Sequence, residues 1–424
     1  MVKETVIREA VHGDVRLTAL QTEVLDTAEV QRLRGIKQLG AAYLVYPGCT
    51  HTRFEHSLGT LATVRQIIDS LRQKGYAVGR EDEELIGVAA LLHDVAHIPF
   101  GHTLEDELHI FPRHDKMERL RPFLEEGEVG ALLRREGLTR EITALLCGRE
   151  GWRSEVVAGS IDADLLDYLR RDARCAGITQ DYDDRIYSYF CLAEGHLAVD
   201  LAKDGTDRPA ARSEIIHLLR MRGFLMERVY LHHAKVAAGA MVGKAVELAL
   251  ERGAKAGDIC WRCDAGLLAW LADSSPEGAE LAGGVLRRRL YKRAYGLSGL
   301  YLSSGERQAL VEQFVFPPPK RRATESAIAR LAGVPPHRVI IGFTGHSPMR
   351  EVDMPAYTGR GLHPLGHPPV PGREDKVPAD IRSIIEQHES MWRLWVFTSP
   401  EALPAVGRAA ESILGIPGDY RRPL

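Results

Sequence analysis

Apolar residues recur at helical spacing through the first two thirds of the chain. Between about residues 18 and 255 they fall mostly three or four positions apart, and strict alternation is rare. This pattern predicts a mainly α-helical protein. The predicted helices cover residues 22–38, 56–73, 82–94, 114–125, 139–147, 160–174, 211–252, 264–273 and 279–294. Thr22 and Ser160 are candidate N-caps, and a short hairpin is predicted from His196 to Gly205.

The pattern changes after about residue 296. Three consecutive prolines at residues 317–319 interrupt the helical spacing, and a Gly- and Pro-rich segment at about 355–378 predicts a surface loop. Short β-branched or aromatic runs predict two strands and a following helix, at residues 339–343, 392–397 and 401–414. We therefore predict two domains, a helical core over residues 1–295 and a small C-terminal α+β lobe over residues 296–424.

Composition and charge narrow the class of protein. The chain has 424 residues, 45% of them hydrophobic, so it can fill a large core. Its formal net charge is -3, which gives no overall field to attract nucleic acid or anionic lipid. The sequence shows neither a signal peptide nor an apolar run of bilayer length, so we expect a cytoplasmic protein without a membrane partner.

The six cysteines are scattered, and among them Cys260 and Cys263 alone have a spacing typical of metal sites. One such pair is weak support for a metal. We expect ordinary reduced thiols, with a structural zinc half-site or redox chemistry as alternatives.

Candidate chemistry stands at the end of the most apolar helix. The predicted helix 82–94 is apolar on nearly every side, so its end should be buried, yet it carries His93 and Asp94. Buried polar side chains cost free energy unless they are satisfied, and a metal ion satisfies His and Asp together. Upstream, His56 stands near the start of another predicted helix. We therefore interpret His93 and Asp94 as half of a metal site.

A further helix carries acidic and aromatic residues on one face. Asp164, Tyr168 and Asp172 follow one another at intervals of four residues, so they share that face. Together with the histidines, these carboxylates suit a first-row divalent ion that keeps positions open for water and a phosphate oxygen.

The whole set resembles the H…HD…D signature of the HD-domain phosphohydrolases. In that resemblance the metal ligands are His56, His93, Asp94 and Asp164. Segments 31–40, 51–59 and 164–172 are similar to the deoxynucleoside triphosphate (dNTP) triphosphohydrolase branch, over about residues 6–295 in all. The resemblance implies a helical HD core, a nucleotide substrate and a homo-oligomer, either a dimer or a tetramer. It also implies a divalent metal ion, which is Mn, Fe, Mg, Zn, Co or Ni.

The resemblance also assigns roles around the metal. His97, His102 and His114 correspond to the catalytic histidines near the scissile phosphate, with His114 as the general acid. Arg53 and Arg222 are expected to clamp phosphates, because guanidinium groups form bidentate bonds to them. The remaining substrate contacts, to sugar and base, are Gln38, Tyr168, Asp172 and Tyr230.

A regulatory nucleotide pocket is implied at Asp26, Gln31 and Arg34, together with a basic stretch that contains Arg288 and Lys292. The alternative for the basic stretch is a solvated helix face. The chain departs from the family where Leu165 replaces a common Lys and where Arg8-Glu9-Ala10 replaces Asn-Asp-Pro. The first departure removes a phosphate contact, and the second alters the regulatory region.

The leading hypothesis is a metal-dependent enzyme that converts a dNTP to deoxynucleoside and inorganic triphosphate under nucleotide regulation. One alternative is an HD-type phosphatase or phosphodiesterase acting on another nucleotide. A cyclic-dinucleotide substrate is disfavoured, because no Gly-Tyr-Pro motif follows His93-Asp94. The other alternative is a nucleotide-sensing interaction protein that uses the same core as a scaffold.

Overall fold

The computed structural model describes residues 5–148, 151–203, 206–314, 318–344, 349–359, 361–366 and 377–419. Most of these residues are helical, which confirms the predicted fold class. The α-helices are α1 Ala19–Asp26, α2 Ala28–Arg32, α3 Arg53–Gln73, α4 Arg80–Leu92, α5 Met117–Glu125, α6 Gly127–Glu136, α7 Thr139–Leu146, α8 Trp152–Ala158, α9 Ala163–Cys175, α10 Pro209–Leu225, α11 His233–Glu251, α12 Ala256–Cys260, α13 Asp264–Ser274, α14 Pro276–Leu286, α15 Ser304–Phe314, α16 Pro318–Ala332, α17 Ala379–Ser390 and α18 Leu403–Leu414.

The strands are short and form small sheets. They are β1 Thr5–Glu9, β2 Gly13–Leu17, β3 Phe190–Ala193, β4 His196–Asp200, β5 Ala202–Lys203, β6 Thr206–Asp207, β7 Lys292–Ser298, β8 Ile340–Thr344, β9 Pro355–Tyr357, β10 Leu362–Pro364 and β11 Arg393–Thr398. β1 and β2 form an N-terminal hairpin. The predicted hairpin at 196–205 becomes two, because β4 pairs with β3 and β5 pairs with β6, while residues 204 and 205 lie outside the described residues.

Helices α3, α4 and α9 form the centre of the core. Thr52 caps α3, and Glu55 returns the contact to the Thr52 amide at 2.7 Å, so the helix begins at Arg53. Helices α3 and α9 pack closely at Gly59, where an added Cβ would lie 2.0 Å from Asp167 Oδ1. A glycine at this point lets α9 bring its acidic face against the first turns of α3.

The C-terminal part contains a three-stranded antiparallel sheet in the order β7-β11-β8. It confirms the strands predicted at 339–343 and 392–397, and α18 confirms the helix predicted at 401–414. Strand β7 was not predicted, and it spans the proposed domain boundary between residues 295 and 296. A buried ionic cluster joins this part to the core. Its members are Lys244 and Glu247 on α11 with Arg321 and Glu325 on α16.

The segment predicted as a Gly/Pro-rich surface loop is partly regular, and this prediction was wrong for residues 355–357 and 362–364, which form strands. Strand β9 pairs in parallel with β4 of the core, with Val199 opposite Ala356, and β10 extends the sheet. Met354 and Leu365 are buried in the core around this sheet. Pairing with a distant strand supplies the order that local composition does not indicate. Residue 360 and residues 367–376 lie outside the described residues.

Two predicted helix starts were wrong. The helix predicted at 22–38 is interrupted at Thr27, whose backbone is extended and whose hydroxyl donates to the Val24 carbonyl at 2.7 Å. The N-cap of α1 is Thr18 rather than Thr22. The N-cap of α9 is Asp162 rather than Ser160, because its carboxylate accepts the Leu165 amide at 2.8 Å.

Two further predicted helices differ from the structure, one because it is divided and one because it ends early. The helix predicted at 211–252 is divided into α10 and α11 by a π-helical turn at Met226–Tyr230. This turn lets Tyr230 reach α9. The helix predicted at 279–294 ends at Leu286, and Arg288 adopts a left-handed backbone conformation with φ of 55°. The basic stretch is therefore not a helix face, because its last residues start strand β7.

Candidate metal centre and nucleotide cleft

The four predicted metal ligands converge from α3, the end of α4 and α9. His56 Nε2 lies 3.1 Å from His93 Nε2 and 2.9 Å from Asp164 Oδ1. Asp94 Oδ2 lies 3.8 Å from His56 Nε2, and Asp94 Oδ1 lies 3.6 Å from His93 Nε2. The ligand atoms of His56, His93 and Asp164 all lie within 4.8 Å of one another. Donor atoms at these separations suit a single divalent ion.

Hydrogen bonds behind the two imidazoles fix which nitrogen faces the centre. His93 Nδ1 lies 2.7 Å from the Ala90 carbonyl, and His56 Nδ1 lies 2.7 Å from Asp167 Oδ2. Since a carbonyl only accepts, His93 donates from Nδ1 and presents the Nε2 lone pair. The two Nε2 atoms face each other at 3.1 Å, and a cation held by both would satisfy their lone pairs. The donor set therefore fits the metal that the sequence predicts.

Asp167 was not predicted, yet it supports the centre from behind. It is fully buried and also binds His12 Nε2 at 2.7 Å and Arg171 Nε at 2.8 Å. Arg171 in turn pairs with Glu9 of the N-terminal hairpin. Burial lowers the pKa of His56, but hydrogen bonds to Asp164 and Asp167 outweigh it and raise the pKa to about 10. The two carboxylates thus favour positive charge at this point, as a metal site requires.

Arg53, predicted to clamp phosphate, lies against the metal ligand Asp94. Its Nη1 donates to Asp94 Oδ2 at 2.7 Å, and it is buried in the first turn of α3. Burial raises the pKa of Asp94, but Arg53 and the imidazoles of His93 and His97 hold it well below its ordinary value. The Asp94 carboxylate is therefore charged and available as a ligand.

The three predicted catalytic histidines lie together beside Asp94. The rings of His97 and His114 stack with centroids 3.5 Å apart, and His102 lies 5.0 Å from His97. Burial and the charges of Arg53 and His114 lower the pKa of His97 well below its ordinary value, so its imidazole is neutral. His114 Nδ1 lies 2.9 Å from the buried Glu105, a residue that was not predicted. His102 is the exposed member, and its side chain is 48% accessible.

Glycine is required beside this cluster. A Cβ at Gly101 would lie 2.4 Å from His97 Nδ1, so a larger residue would displace the imidazole. The sequence Pro99-Phe100-Gly101 therefore reflects a close approach of backbone to the histidine cluster. Asp94, His97 and His114 form a second group whose ligand atoms lie within 4.8 Å of one another. Asp94 also lies 3.6 Å from His93 Nε2 and 3.8 Å from His56 Nε2 of the first group.

Three of the predicted sugar and base residues, Tyr168, Asp172 and Tyr230, lie together, and we call this group the tyrosine wall. Tyr230 donates to Asp172 Oδ2 at 2.8 Å, and the rings of Tyr168 and Tyr230 meet edge to face at 6.4 Å. The other Asp172 oxygen lies 2.7 Å from His51 Nε2. Gln38 is buried near Arg53, and its side-chain oxygen lacks a hydrogen-bond partner among the described residues. Tyr168, Asp172 and Tyr230 come together as predicted, Gln38 lies beside Arg53, and the roles of all four stay predictions.

Arg222 joins the same wall but has an unpredicted partner. Its Nε lies 2.8 Å from Glu351 Oε1, and it also contacts Tyr168. Glu351 belongs to a 3₁₀ turn in the C-terminal part of the chain, more than a hundred residues away in sequence. Such a contact leaves no local signal in the sequence. For Asp167, Glu105 and His51 a signal exists, since each lies within a few residues of a predicted ligand or catalytic histidine.

The predicted regulatory residues are only partly brought together. Arg34 donates to Gln31 at 2.8 Å and stacks on Phe54 at 3.4 Å, and Gln31 binds the Leu25 carbonyl beside the exposed Asp26. Arg288 binds the Leu44 carbonyl at 2.8 Å. Lys292 is exposed at the start of β7. The first three residues thus share a surface, and their role in regulation stays a prediction.

The chain matches two known protein families, one of them over the segment that carries the four predicted metal ligands. Residues 53–172 match the family described as HD domain, and residues 216–423 match the HD associated region. The chain is 33% identical over 295 residues to an uncharacterized protein of Methanocaldococcus jannaschii, covering 68% of this chain and 58% of that protein. It is 35% identical over 187 residues to the uncharacterized protein YwfO of Bacillus subtilis, covering 43% and 42%.

The deoxynucleoside triphosphate triphosphohydrolase SAMHD1 of Homo sapiens is 27% identical over 269 residues, which cover 54% of this chain and 42% of that protein. The matches thus span about two fifths to three fifths of the relatives' own lengths.

Two solved structures share the fold. A hypothetical protein from Aquifex aeolicus has a TM-score of 0.70 at 21% identity, covering 96% of this chain and 100% of that one. A phosphohydrolase from Bacteroides thetaiotaomicron has a TM-score of 0.69 at 20% identity, covering 93% and 100%. Among the described residues, no helix combines the length and apolar character needed to cross a membrane.

Proposed function

Because this chain belongs to the HD-domain superfamily of metal-dependent phosphohydrolases, we propose that it hydrolyses a dNTP to deoxynucleoside and inorganic triphosphate. The proposal rests on one observation above all: ligand atoms of His56, His93 and Asp164 lie within 4.8 Å of one another, and Asp94 lies within 3.9 Å of His56 and His93 on one side and of His97 and His114 on the other. A divalent ion held there would polarise a phosphoryl oxygen and activate water.

The histidine cluster supplies the proton that the leaving group needs. Glu105 binds His114 at Nδ1, so the other ring nitrogen, His114 Nε2, points towards Asp94 and lies 3.9 Å from Asp94 Oδ1. This is the arrangement of a general acid oriented by a carboxylate. The neutral His97 stacks on His114 and fixes its ring, and the exposed His102 lies at the mouth of the cleft.

The tyrosine wall supports recognition of a deoxynucleoside. Tyr168 and Tyr230 present aromatic rings beside Asp172, a carboxylate able to accept from a sugar hydroxyl or a base amine. Asp172 is also bound to His51 and Tyr230, so its position is fixed from two sides. A rigid aromatic wall next to the sugar can exclude a 2′-hydroxyl by its volume.

A second candidate follows from the charges of the phosphate-binding side. Arg53 is paired with Asp94, Arg222 is paired with Glu351, and Leu165 stands where the family often has Lys. These pairings favour a substrate with fewer phosphate charges, such as a nucleoside monophosphate cleaved by a phosphatase reaction.

One assay separates the two candidates. The purified full-length chain is incubated with each dNTP, ribonucleoside triphosphate and nucleoside monophosphate in the presence of Mn²⁺, Mg²⁺ or Fe²⁺, and the products are separated by anion exchange. Release of inorganic triphosphate from dNTPs is the expected result. Release of inorganic phosphate from monophosphates alone would support the second candidate and refute the first.

The double variant His93→Ala, Asp94→Ala tests whether the chemistry belongs to this centre. We expect loss of bound metal and a fall in turnover of about a thousandfold or more, because the activated water and the phosphoryl contact are both lost. Asp184→Asn, which removes an exposed carboxylate that is 70% accessible, is the control. Retained turnover in the double variant would place the active site elsewhere.

Regulation and assembly are part of the proposal. A nucleotide effector would bind at the surface formed by Asp26, Gln31 and Arg34, and a homodimer or homotetramer would be the active form. Arg34 stacks on Phe54, which follows Arg53 in the chain. Because Arg53 binds the metal ligand Asp94, a ligand bound to Arg34 would act next to a residue that contacts the metal centre. Light scattering with and without GTP or dGTP measures the change in mass that this arrangement predicts.

A further inference from the structure

A carboxylate from the C-terminal part of the chain lies inside the proposed cleft. Glu351 Oε1 is 2.8 Å from Arg222 Nε, and both side chains are largely buried, at 8% and 14% exposure. Arg222 also contacts Tyr168, one turn along α9 from the metal ligand Asp164. An anion of the protein itself therefore occupies the guanidinium that the cleft offers to a substrate phosphate.

The ion pair leaves bonding capacity on both partners. Glu351 Oε2, Arg222 Nη1 and Arg222 Nε are buried and lack hydrogen-bond partners among the described residues, so the Nε–Oε1 contact is an ion pair without hydrogen-bond geometry. A guanidinium normally binds a phosphate or carboxylate through two parallel hydrogen bonds, and such pairs are the strong ones. The contact between Arg222 and Glu351 is thus not bidentate, and Arg222 keeps an N–H group that can donate to an oxygen of a second anion.

The position of Glu351 is built into the fold. Its turn lies between the buried Met349 and Met354. The Gly366 amide donates to the Val352 carbonyl, and the Leu365 amide donates to the Met354 carbonyl, each at 2.8 Å. Strand β9 then pairs with β4 of the core. These bonds carry the carboxylate to Arg222, so the contact does not depend on the ion pair alone.

The other arginine that is predicted to bind phosphate does not replace the charge of Arg222 that Glu351 neutralises. Arg53 is paired with Asp94, and Leu165 takes the place of a lysine. Arg222 is therefore the guanidinium of the tyrosine wall on which phosphate affinity depends, and Glu351 neutralises it. Each added phosphate charge on a substrate meets this carboxylate as a competitor.

We propose that Glu351 is a specificity-determining residue that competes with the substrate's phosphates for Arg222 and so weakens the binding of polyphosphates. This inference rests on the proposed function only in that the cleft accepts a phosphorylated nucleotide through Arg222. A bound phosphate replaces the Glu351 carboxylate on the guanidinium. Removing the carboxylate's charge then leaves Arg222 free for the substrate.

Glu351→Gln tests this competition, because it keeps the side-chain volume and removes the charge. Calorimetric titration of inorganic tripolyphosphate into the full-length, metal-free chain is the measurement, since the anion would otherwise sequester the metal. We expect Glu351→Gln to bind tripolyphosphate about tenfold more tightly than the wild type. Asp353→Asn is the matched control, because Asp353 is an exposed carboxylate of the same turn.

Two further variants separate competition from a structural role. Glu351→Asp keeps the charge on a shorter side chain, so it should tighten anion binding by less than Glu351→Gln. In an Arg222→Gln background, Glu351→Gln should leave tripolyphosphate affinity unchanged, because the two residues act through one contact. A merely structural contact would lower the melting temperature and would not raise affinity. Equal affinity of wild type and Glu351→Gln, or binding by neither, overturns the inference.

Failure of the proposed function gives a different result. If Glu351→Gln tightens tripolyphosphate binding but no dNTP is turned over, the competition stands and dNTP hydrolysis is refuted. If dNTPs are hydrolysed, the KM of Glu351→Gln should fall about tenfold with kcat little changed, since Glu351 opposes binding rather than chemistry. An unchanged KM in an active enzyme counts against the competition alone.

Discussion

Two clusters of buried charge in this protein have opposite designs. The cluster of Lys244, Glu247, Arg321 and Glu325 joins α11 to α16 and contains two cations and two carboxylates, each 1–7% exposed. Glu325 also accepts the Ile341 amide at 2.9 Å, which ties the cluster to strand β8. Burial raises the pKa of Glu325, but Lys244 and Arg321 outweigh it, so the carboxylate stays charged. This cluster is balanced and closed.

The metal-ligand cluster is neither balanced nor closed. Two carboxylates and two imidazole lone pairs converge, and Asp164 keeps a side chain that is 37% exposed. Arg53 offsets one of the carboxylates, which leaves an excess of electron-pair donors around one point. The comparison shows that buried charge alone does not indicate a functional site. A functional site is indicated by ligand atoms that lack compensating partners and are open to solvent.

The largest effect on stability is expected in the closed cluster. Glu325→Ala leaves the buried cations Lys244 and Arg321 to share Glu247, so one buried positive charge is uncompensated and the free energy of unfolding should fall by about 3–5 kcal/mol. Urea denaturation measures this change. Metal binding by the folded protein should be unaffected, because the closed cluster has no part in it.

A surface pair on the same two helices is the matched control. Glu251→Ala removes the partner of Arg322, an ion pair with side chains 53% and 39% exposed. It should cost less than about 1 kcal/mol, since solvent screens such pairs. If Glu325→Ala were as mild as Glu251→Ala, the two clusters would not differ in the way described.

An intermediate effect is expected behind the metal ligands. Asp167→Asn keeps an acceptor for His56 Nδ1 but removes the charge that orients and polarises the imidazole. The dissociation constant for Mn²⁺ should rise about 10–100-fold. Competition with a chromophoric chelator measures it, and circular dichroism confirms that the variant is folded. An unchanged constant would show that His56 is oriented by packing alone.

The last effect is a dependence of stability on pH. It concerns the pair of His51 and Asp172, whose charges balance only when His51 is protonated. Burial lowers the pKa of His51, but its hydrogen bond to Asp172 and its interactions with Cys175 outweigh this and raise it from 6.5 to about 9. A raised pKa means that the folded state holds the proton more tightly than the unfolded state. The stability from this pair is therefore present below pH 6.5 and is lost as the pH rises through about 9.

Comparison with His51→Gln isolates this contribution from other titrating groups. The difference in unfolding free energy between the two proteins should shrink by about 3 kcal/mol over that interval. Urea denaturation at a series of pH values measures the difference. A difference that does not vary with pH would mean that His51 is neutral in the folded state.

Much of the site could be predicted because its residues are contiguous with strong local patterns. An apolar helix that ends in His93-Asp94 has few explanations, and the spacing of Asp164, Tyr168 and Asp172 places three side chains on one face. The mainly helical fold followed from the same periodicity. These signals come from side chains within one or two helical turns, so a single sequence contains them.

The unpredicted parts depend on contacts between distant segments. The first residues of strand β7 were predicted as the end of a helix and the rest of the strand was not predicted, because its pairing with β11 is set almost a hundred residues later. Glu351 has no local feature that distinguishes it from a surface carboxylate. The π-helical turn before Tyr230 follows from the reach to Asp172, and periodicity does not show it. Tertiary pairing and burial decided each of these cases.

The parallel pairing of β9 with β4 has a practical consequence for dividing the chain. A fragment that ends at residue 295 would lose β9 and β10 and expose the free edge of β4, together with the apolar surface that Met354 and Leu365 cover. Open strand edges beside apolar surface promote association between chains. Expression of the helical core alone should therefore yield aggregates, and the segment 349–366 should be kept in any shortened form.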